Sequence, residues 1–214
     1  MAEAAPEEAK AGGLELIYFN MEARAGAIRV ALHHAGIPFT DTRIPFSEWP
    51  ERKATVPGGA LPYLLIDGKP FAQSSAIARW AGRQTTLYPA DPLAGLKVDE
   101  IMDFCDDVLA KCPHDPDPEV KKAKREEYAA GKMKSYFDVL AAKASEDEFI
   151  AGPDLTIADI MLYFMAFFML RTGDFDHVPA DYADAWPALS ALETKIKEHP
   201  IMVAYMASEY SAKK

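Results

Sequence analysis

Apolar and polar positions change rhythm every few residues between 14 and 83, then settle into long helical periods beyond residue 92. Leu14 to Phe19 is a short apolar run that predicts a strand. Arg24 to Ala35 carries apolar residues at helical spacing and stops before Gly36, a helix-ending residue. Phe39 to Ile44 predicts a second strand and Ser47 to Ala54 a short irregular helix. Leu61 to Trp80 then compresses two strands, a tight turn and a helix start into one run. Within it, Pro62 opens a strand where its missing N–H is not needed, and Asp67-Gly68 is a strong hairpin signal. Gln73-Ser74-Ser75 leads into a helix whose first-turn N–H groups need partners, which a hydroxyl or a small bound carboxylate can supply.

The order β-α-β followed by β-β-α is a thioredoxin-like layout, with a right-handed crossover expected between the first two strands. The proline-rich hexamer Leu87-Tyr88-Pro89-Ala90-Asp91-Pro92 reads as a linker. Helical patterns follow at about 93–111, 117–143, 157–171, 187–198 and 200–210. Thr156 stands three residues before Asp159 at the head of the most apolar of these, an acidic variant of the capping box with a structural role. The expected organisation is a flexible tail over 1–13, an α/β domain over 14–84, a linker over 85–92 and an all-helical domain over 93–214. No internal repeat competes with it.

With 214 residues, half of them apolar, the chain can bury a substantial core. A formal net charge of −10 argues against nucleic acid or an anionic membrane as the main partner, because either needs clustered Lys and Arg. The mixed run Lys121 to Glu127 reads as a solvated helix face. The start, Met1 to Gly13, lacks the basic end and apolar stretch of a secretory signal. Ile160 to Leu170 carries no charge but is about half the length a bilayer span requires, so a buried core helix is expected. Two cysteines, Cys105 and Cys112, would lie about 10 Å apart on one helix, too far for a disulfide. Unpaired thiols fit a reducing compartment, so a cytoplasmic location is expected.

Leu61-Pro62 with Gln73-Ser74 resembles the glutathione-binding segment of the cytosolic glutathione transferases. The resemblance implies a cis Leu61–Pro62 bond that presents the Leu61 backbone to the cysteinyl part of glutathione, and a Gln73-Ser74 pair that grips the γ-glutamyl carboxylate. It covers residues 14 to about 210 and implies that family's architecture, a thioredoxin-like domain followed by a helical one. Where a redox thioredoxin-like protein needs a nucleophilic cysteine, this chain has Phe19-Asn20-Met21-Glu22, which excludes a cysteine-type transferase. Tyr18 stands near the end of the first strand instead. Holding a thiol of pKa about 8.5 ionised at neutral pH asks for a shift of about two units, or ~2.7 kcal/mol. A phenol O–H donated to the thiolate, with a cation nearby, can supply that.

Leu16 to Ala25 is similar to the opening of the sigma class, which includes the haematopoietic-type prostaglandin D synthases and the S-crystallins. This implies that Tyr18 activates the thiol with Arg24 in electrostatic support, and that Trp49 and Lys53 contact the glycyl end of glutathione. At Ala60 the chain departs from the class, which commonly has lysine or glutamine there, so a side-chain contact from that position is lost while the backbone of Leu61 is unaffected. Asp99, Asp103 and either Asp106 or Asp107 share a helix face by their spacing. The stripe is open to two readings, a solvated acidic face or the border of a dimer cleft. The class resemblance implies that Asp107 reaches the γ-glutamyl amine held by a partner subunit. It also implies that Asp103, Asp106 and Asp107 are metal candidates, for which oxygen ligands suit Mg²⁺ or Ca²⁺.

The sequence thus predicts a homodimeric glutathione transferase that conjugates glutathione to small electrophiles or reduces organic peroxides. Two rivals stand beside it: a glutathione-dependent prostaglandin-H D-isomerase, and a transferase-like structural protein with little turnover. The electrophile pocket is expected around Met21, Glu22, residues 102–114 and the C-terminal end. His114 falls where vertebrate prostaglandin D synthases carry tryptophan.

Overall fold

The structure, a computed structural model, describes residues 13–211. Apart from Gly13, the expected N-terminal tail lies outside the described residues. The first part is a four-stranded mixed sheet of β1 (Leu14–Phe19), β2 (Thr40–Ile44), β3 (Tyr63–Ile66) and β4 (Lys69–Ala72), in the order β2-β1-β3-β4. β1 runs parallel to β2 and antiparallel to β3, and β3 pairs antiparallel with β4. Asp67 and Gly68 both have positive φ, +50° and +76°, as the tight hairpin signalled by their sequence requires. Pro70 lies in β4, an edge strand, where its missing N–H is tolerated.

Two helices complete this part, α1 (Ala23–His34) and α3 (Ser74–Gly82), which pack on each other. Between β2 and β3 the predicted irregular helix is a 3₁₀ turn over Phe46–Glu48, the short helix α2 (Trp49–Arg52) and a second 3₁₀ turn over Lys53–Thr55. Ala25, Ala27, Ile28, Val30, Ala31 and Leu32 of α1 are almost wholly buried. That all-round burial follows from position. On one side α1 meets α3, and on the other it meets the helical part, α7 (Ile157–Leu162) and α10 (Pro200–Met206). Gly26 marks the tightest approach, because a Cβ there would stand 2.5 Å from Cγ of Phe164.

The helical part opens with α4 (Pro92–Ala110), capped by Asp91, whose carboxylate accepts from the Ala94 N–H at 2.8 Å. The single helix predicted over 117–143 is two, α5 (Pro118–Tyr128) and α6 (Lys134–Ala144), joined by a π-helical turn at Ala129–Met133. The one predicted over 157–171 is likewise divided into α7, a π-helical stretch at Tyr163–Phe168 and α8 (Met169–Thr172). A π turn adds a residue without changing which residues are apolar, so periodicity does not reveal it. Thr156 and Asp159 form the predicted capping box, and Asp159, fully buried, also accepts from the Ile150 N–H at 2.9 Å. α9 (Pro187–Glu198) and α10 close the fold. Cys105 is buried in α4, and Cys112 lies past its end; both are free thiols.

Candidate active site

The sheet register gathers the residues singled out in the sequence. Ile17 pairs with Tyr63, and Tyr63 pairs with Ala72. One step further along each strand, Tyr18, Pro62 and Gln73 fall in one row at the same end of the sheet. Neighbouring strands lie about 4.8 Å apart, so Tyr18 and Gln73 stand roughly 10 Å from each other across Pro62. The Leu61–Pro62 peptide is cis, and Ala60 before it is extended and exposed.

Tyr18, next to last in β1, has only 5 % of its surface exposed. Burial raises its pKa above the ordinary tyrosine value, opposed by the Arg24 guanidinium, by a hydrogen bond from the Arg24 backbone N–H and by Arg29. The phenol is therefore neutral at physiological pH and can donate its proton without losing it. The turn that carries it into α1 is strained at Ala23, which has φ +32°, a value uncommon for a residue with a side chain.

Gln73 has φ +74° and occupies the N-cap position of α3 with no side-chain cap bond. The hydroxyls that were expected to cap this helix do other things. Ser75 donates to Asp106 of α4, and Ser74 is buried at the first helical position. Gln73 itself is exposed. Trp49 stands edge-on to Phe19, ring centres 5.8 Å apart, and Phe19 is stacked on Phe46 at 4.3 Å. Lys53, one turn on, is exposed and makes no ion pair with another described residue.

Two profiles match the chain: "Glutathione S-transferase, N-terminal domain" over residues 25–84 and "Glutathione S-transferase, C-terminal domain" over residues 102–209. The chain belongs to the glutathione S-transferase family. Among its relatives, the hematopoietic prostaglandin D synthase of Gallus gallus is 29 % identical over 193 residues, covering 90 % of this chain and 94 % of that protein. Glutathione S-transferase 2 of Manduca sexta is 30 % identical, covering 83 % of this chain and 87 % of its own length. A solved structure of rat hPGDS complexed with a quinoline superposes with a TM-score of 0.80 at 26 % identity, covering 90 % of this chain and 95 % of that one. No helix among the described residues is long and apolar enough to cross a membrane.

In this transferase the acidic stripe of α4 is neutralised residue by residue. Asp99 and Asp103 both bind Arg79 of α3, at 2.6 and 2.9 Å. Asp106 takes Arg24 at 2.6 Å together with Ser75. Asp107 points elsewhere, to Lys111 at 2.6 Å and to the Tyr136 hydroxyl at 3.1 Å, and Lys111 holds its pKa below the usual carboxylate range. The face shared by spacing is thus 99, 103 and 106. Asp103, Asp106 and Asp107 diverge to three separate cations, and no group of three or more His, Cys, Asp or Glu side chains among the described residues is arranged to hold a metal. Within one chain these carboxylates do not fit a Mg²⁺ or Ca²⁺ cage.

Two features went unseen in the sequence. Asp106 is the partner of Arg24, and Glu22 does not line a pocket but is buried with Arg29. The available signal for the second was Arg29 itself, a charge inside the otherwise apolar run Ala25 to Leu32.

Proposed function

We propose that this transferase binds glutathione across the row Tyr18, Pro62, Gln73 and uses Tyr18 to hold its sulfur as thiolate. The observation that carries this reading is Tyr18, a buried neutral phenol flanked by Arg24 at the sheet end where the cis Leu61–Pro62 bond lies. The thiol proton leaves to solvent and the phenol O–H donates to the sulfur, with the Arg24 charge adding to the effect. Gln73 and Ser74, with the first-turn N–H groups of α3, take the γ-glutamyl carboxylate. The Leu61 backbone, next to Ala60, pairs with the cysteinyl unit. Trp49 and Lys53 meet the glycyl carboxylate, and the unpaired ammonium of Lys53 suits that role. The ionised sulfur then attacks an electrophilic carbon, displacing its leaving group, or an oxygen of an organic peroxide, breaking the O–O bond to release an alcohol and leave a sulfenic acid that a second glutathione converts to disulfide and water. Catalysis rests on ionising and positioning one thiol.

We assign residues 14–84 to glutathione binding and 93–214 to the electrophile pocket and part of a dimer interface, with 85–92 between them. The active form is a cytoplasmic homodimer in which Asp107 of each subunit serves its neighbour's ligand. Half-exposed Phe71 on β4, beside Leu64, Ile66 and Trp80, and exposed Leu93 and Leu96 on α4 give a second copy apolar surface to cover.

Replacement of Tyr18 by Phe tests the reading. Bound glutathione should keep its affinity within a few-fold, while turnover falls at least about ten-fold and the thiol titrates near its free value of about 8.5. An unchanged thiolate absorbance profile would remove Tyr18 from the mechanism. The relatives named prostaglandin D synthases favour a second reading, isomerisation of prostaglandin H. Exposed His114, a small polar ring in place of a large apolar platform, supports broad conjugation over selective isomerisation. Product analysis separates the two: dominant prostaglandin D, formed faster than spontaneous rearrangement and enhanced by Mg²⁺, would reverse this preference.

A further inference from the structure

Beneath the turn that follows Tyr18 lies a group of charged side chains that the mechanism above leaves unused. Glu22 is 1 % exposed, and Arg29 and Tyr205 are fully buried. Arg29 donates from Nη1 to the Met21 carbonyl at 2.6 Å and to Glu22 Oε2 at 3.3 Å, and its Nη2 reaches the Phe19 carbonyl at 3.5 Å. Its Nε is shared between the two oxygens of Asp41, each at 3.1 Å. Asp41 also binds Arg43 at 2.7 Å, and Arg43 donates to the Tyr210 carbonyl at 2.5 Å. The Tyr205 hydroxyl lies 2.9 Å from Glu22 Oε2 and 3.0 Å from that same carbonyl, and its one proton can serve either. The contacts close a ring: Glu22, Arg29, Asp41, Arg43, the Tyr210 carbonyl, Tyr205, and back to Glu22.

Two carboxylates and two guanidiniums cancel, so the ring exerts little net field on its surroundings. What it fixes is backbone. Arg29 grips the carbonyls of residues 19 and 21, on either side of Asn20, and Arg43 binds the Asn20 side chain at 3.0 Å. These residues lead directly into Ala23, whose strained φ persists only if its surroundings hold it, and Ala23 places the Arg24 N–H against the Tyr18 oxygen. Arg29 also approaches the Tyr18 ring, 6.0 Å from its centre. The ring is completed by residues 205 and 210, from the far end of the chain.

We propose that Tyr205 and Glu22 are positioning residues through which the C-terminal segment holds the Tyr18 hydroxyl and the Arg24 N–H in thiolate-stabilising register. The proposal rests on the role given to Tyr18 above. The charged groups facing Tyr18 are Arg24 and Arg29, and those facing Tyr205 are Glu22, Arg29 and Arg43, with the His33 ring 6.0 Å away.

Tyr205→Phe removes one hydroxyl and keeps the ring's packing. In the full-length protein the thiol of bound glutathione should titrate about half a unit higher or more, and kcat at pH 6.5 should fall about two-fold or more and recover as the pH is raised. The Michaelis constant for glutathione should change less than about two-fold, because the carboxylate contacts are untouched. Arg43→Gln opens the same ring at its more exposed side and should move the titration in the same direction; if Tyr205→Phe fails to fold, this variant decides. A merely structural role would lower the melting temperature and leave the titration in place. If both variants titrate as the parent does while Tyr18→Phe shifts, the positioning role is overturned and the Tyr18 mechanism stands. If Tyr18→Phe leaves the titration in place as well, the mechanism fails and this proposal with it.

Discussion

Arg24 and Asp106 are 82 residues apart in sequence and 2.6 Å apart in space, an ion pair that joins the sheet half to the helical half. The pair is about 30 % exposed on each side, so its direct worth to stability is modest, about 1 kcal/mol or less. Its greater effect is on the potential at Tyr18, because Asp106 offsets part of the Arg24 charge. Asp106→Asn should therefore lower the pKa of the bound thiol while reducing the melting temperature by a few degrees. A raised thiol pKa would show that Asp106 orients Arg24 more than it neutralises it.

If Gln73 and Ser74 take the γ-glutamyl carboxylate as proposed, they make a different class of contact. The γ-glutamyl carboxylate lies away from the reacting sulfur and is the same in ground and transition states, so truncating either residue to alanine should raise the Michaelis constant for glutathione and spare turnover at saturation. Loss of turnover with unchanged affinity would contradict this placement.

Asp107 is already engaged by Lys111 and Tyr136 within its own chain. If it also serves the neighbouring subunit, Asp107→Asn should weaken glutathione binding while the dimer persists in sedimentation. Hybrids with a Gln73→Ala subunit should then retain some intact sites. Unaltered affinity would leave Asp107 as a solvated surface charge.

Gly26 gives a stability test in which two effects oppose each other. Alanine is favoured over glycine inside a helix by up to about 1 kcal/mol. A methyl group here would stand 2.5 and 2.6 Å from Cγ and Cδ2 of Phe164, whose side chain is fully buried and has no room to retreat. Overpacking of this kind costs about 1–3 kcal/mol, so the clash wins, and Gly26→Ala should melt several degrees below the parent. An equal or higher melting temperature would mean that the helices separate more easily than their packing suggests.

The fold was legible in the sequence because its punctuation is local. Asp67-Gly68 fixes a hairpin, Gly36 stops a helix, and Thr156 with Asp159 starts another. Motifs singled out Tyr18, Pro62 and Gln73 as candidates, and the sheet register places them in one row. What stayed hidden depends on contacts between distant segments. Spacing grouped Asp99, Asp103 and one of Asp106 and Asp107 on a face, and the choice fell to Arg24 of α1 and Arg79 of α3 on one side and to Lys111, four residues after Asp107, on the other. Glu22 was expected beside the electrophile pocket together with Met21. Its burial is decided by Arg29 two turns later and by Tyr205 at the far end of the chain.

From Ala25 to Leu32, α1 has no solvent face, since one side belongs to the sheet half and the other to the helical half. The two halves therefore share one interior, and the linker between them does not divide two independent cores. A gene split at residues 87–92 would encode fragments that each expose an apolar surface and dissolve only as a reassembled pair.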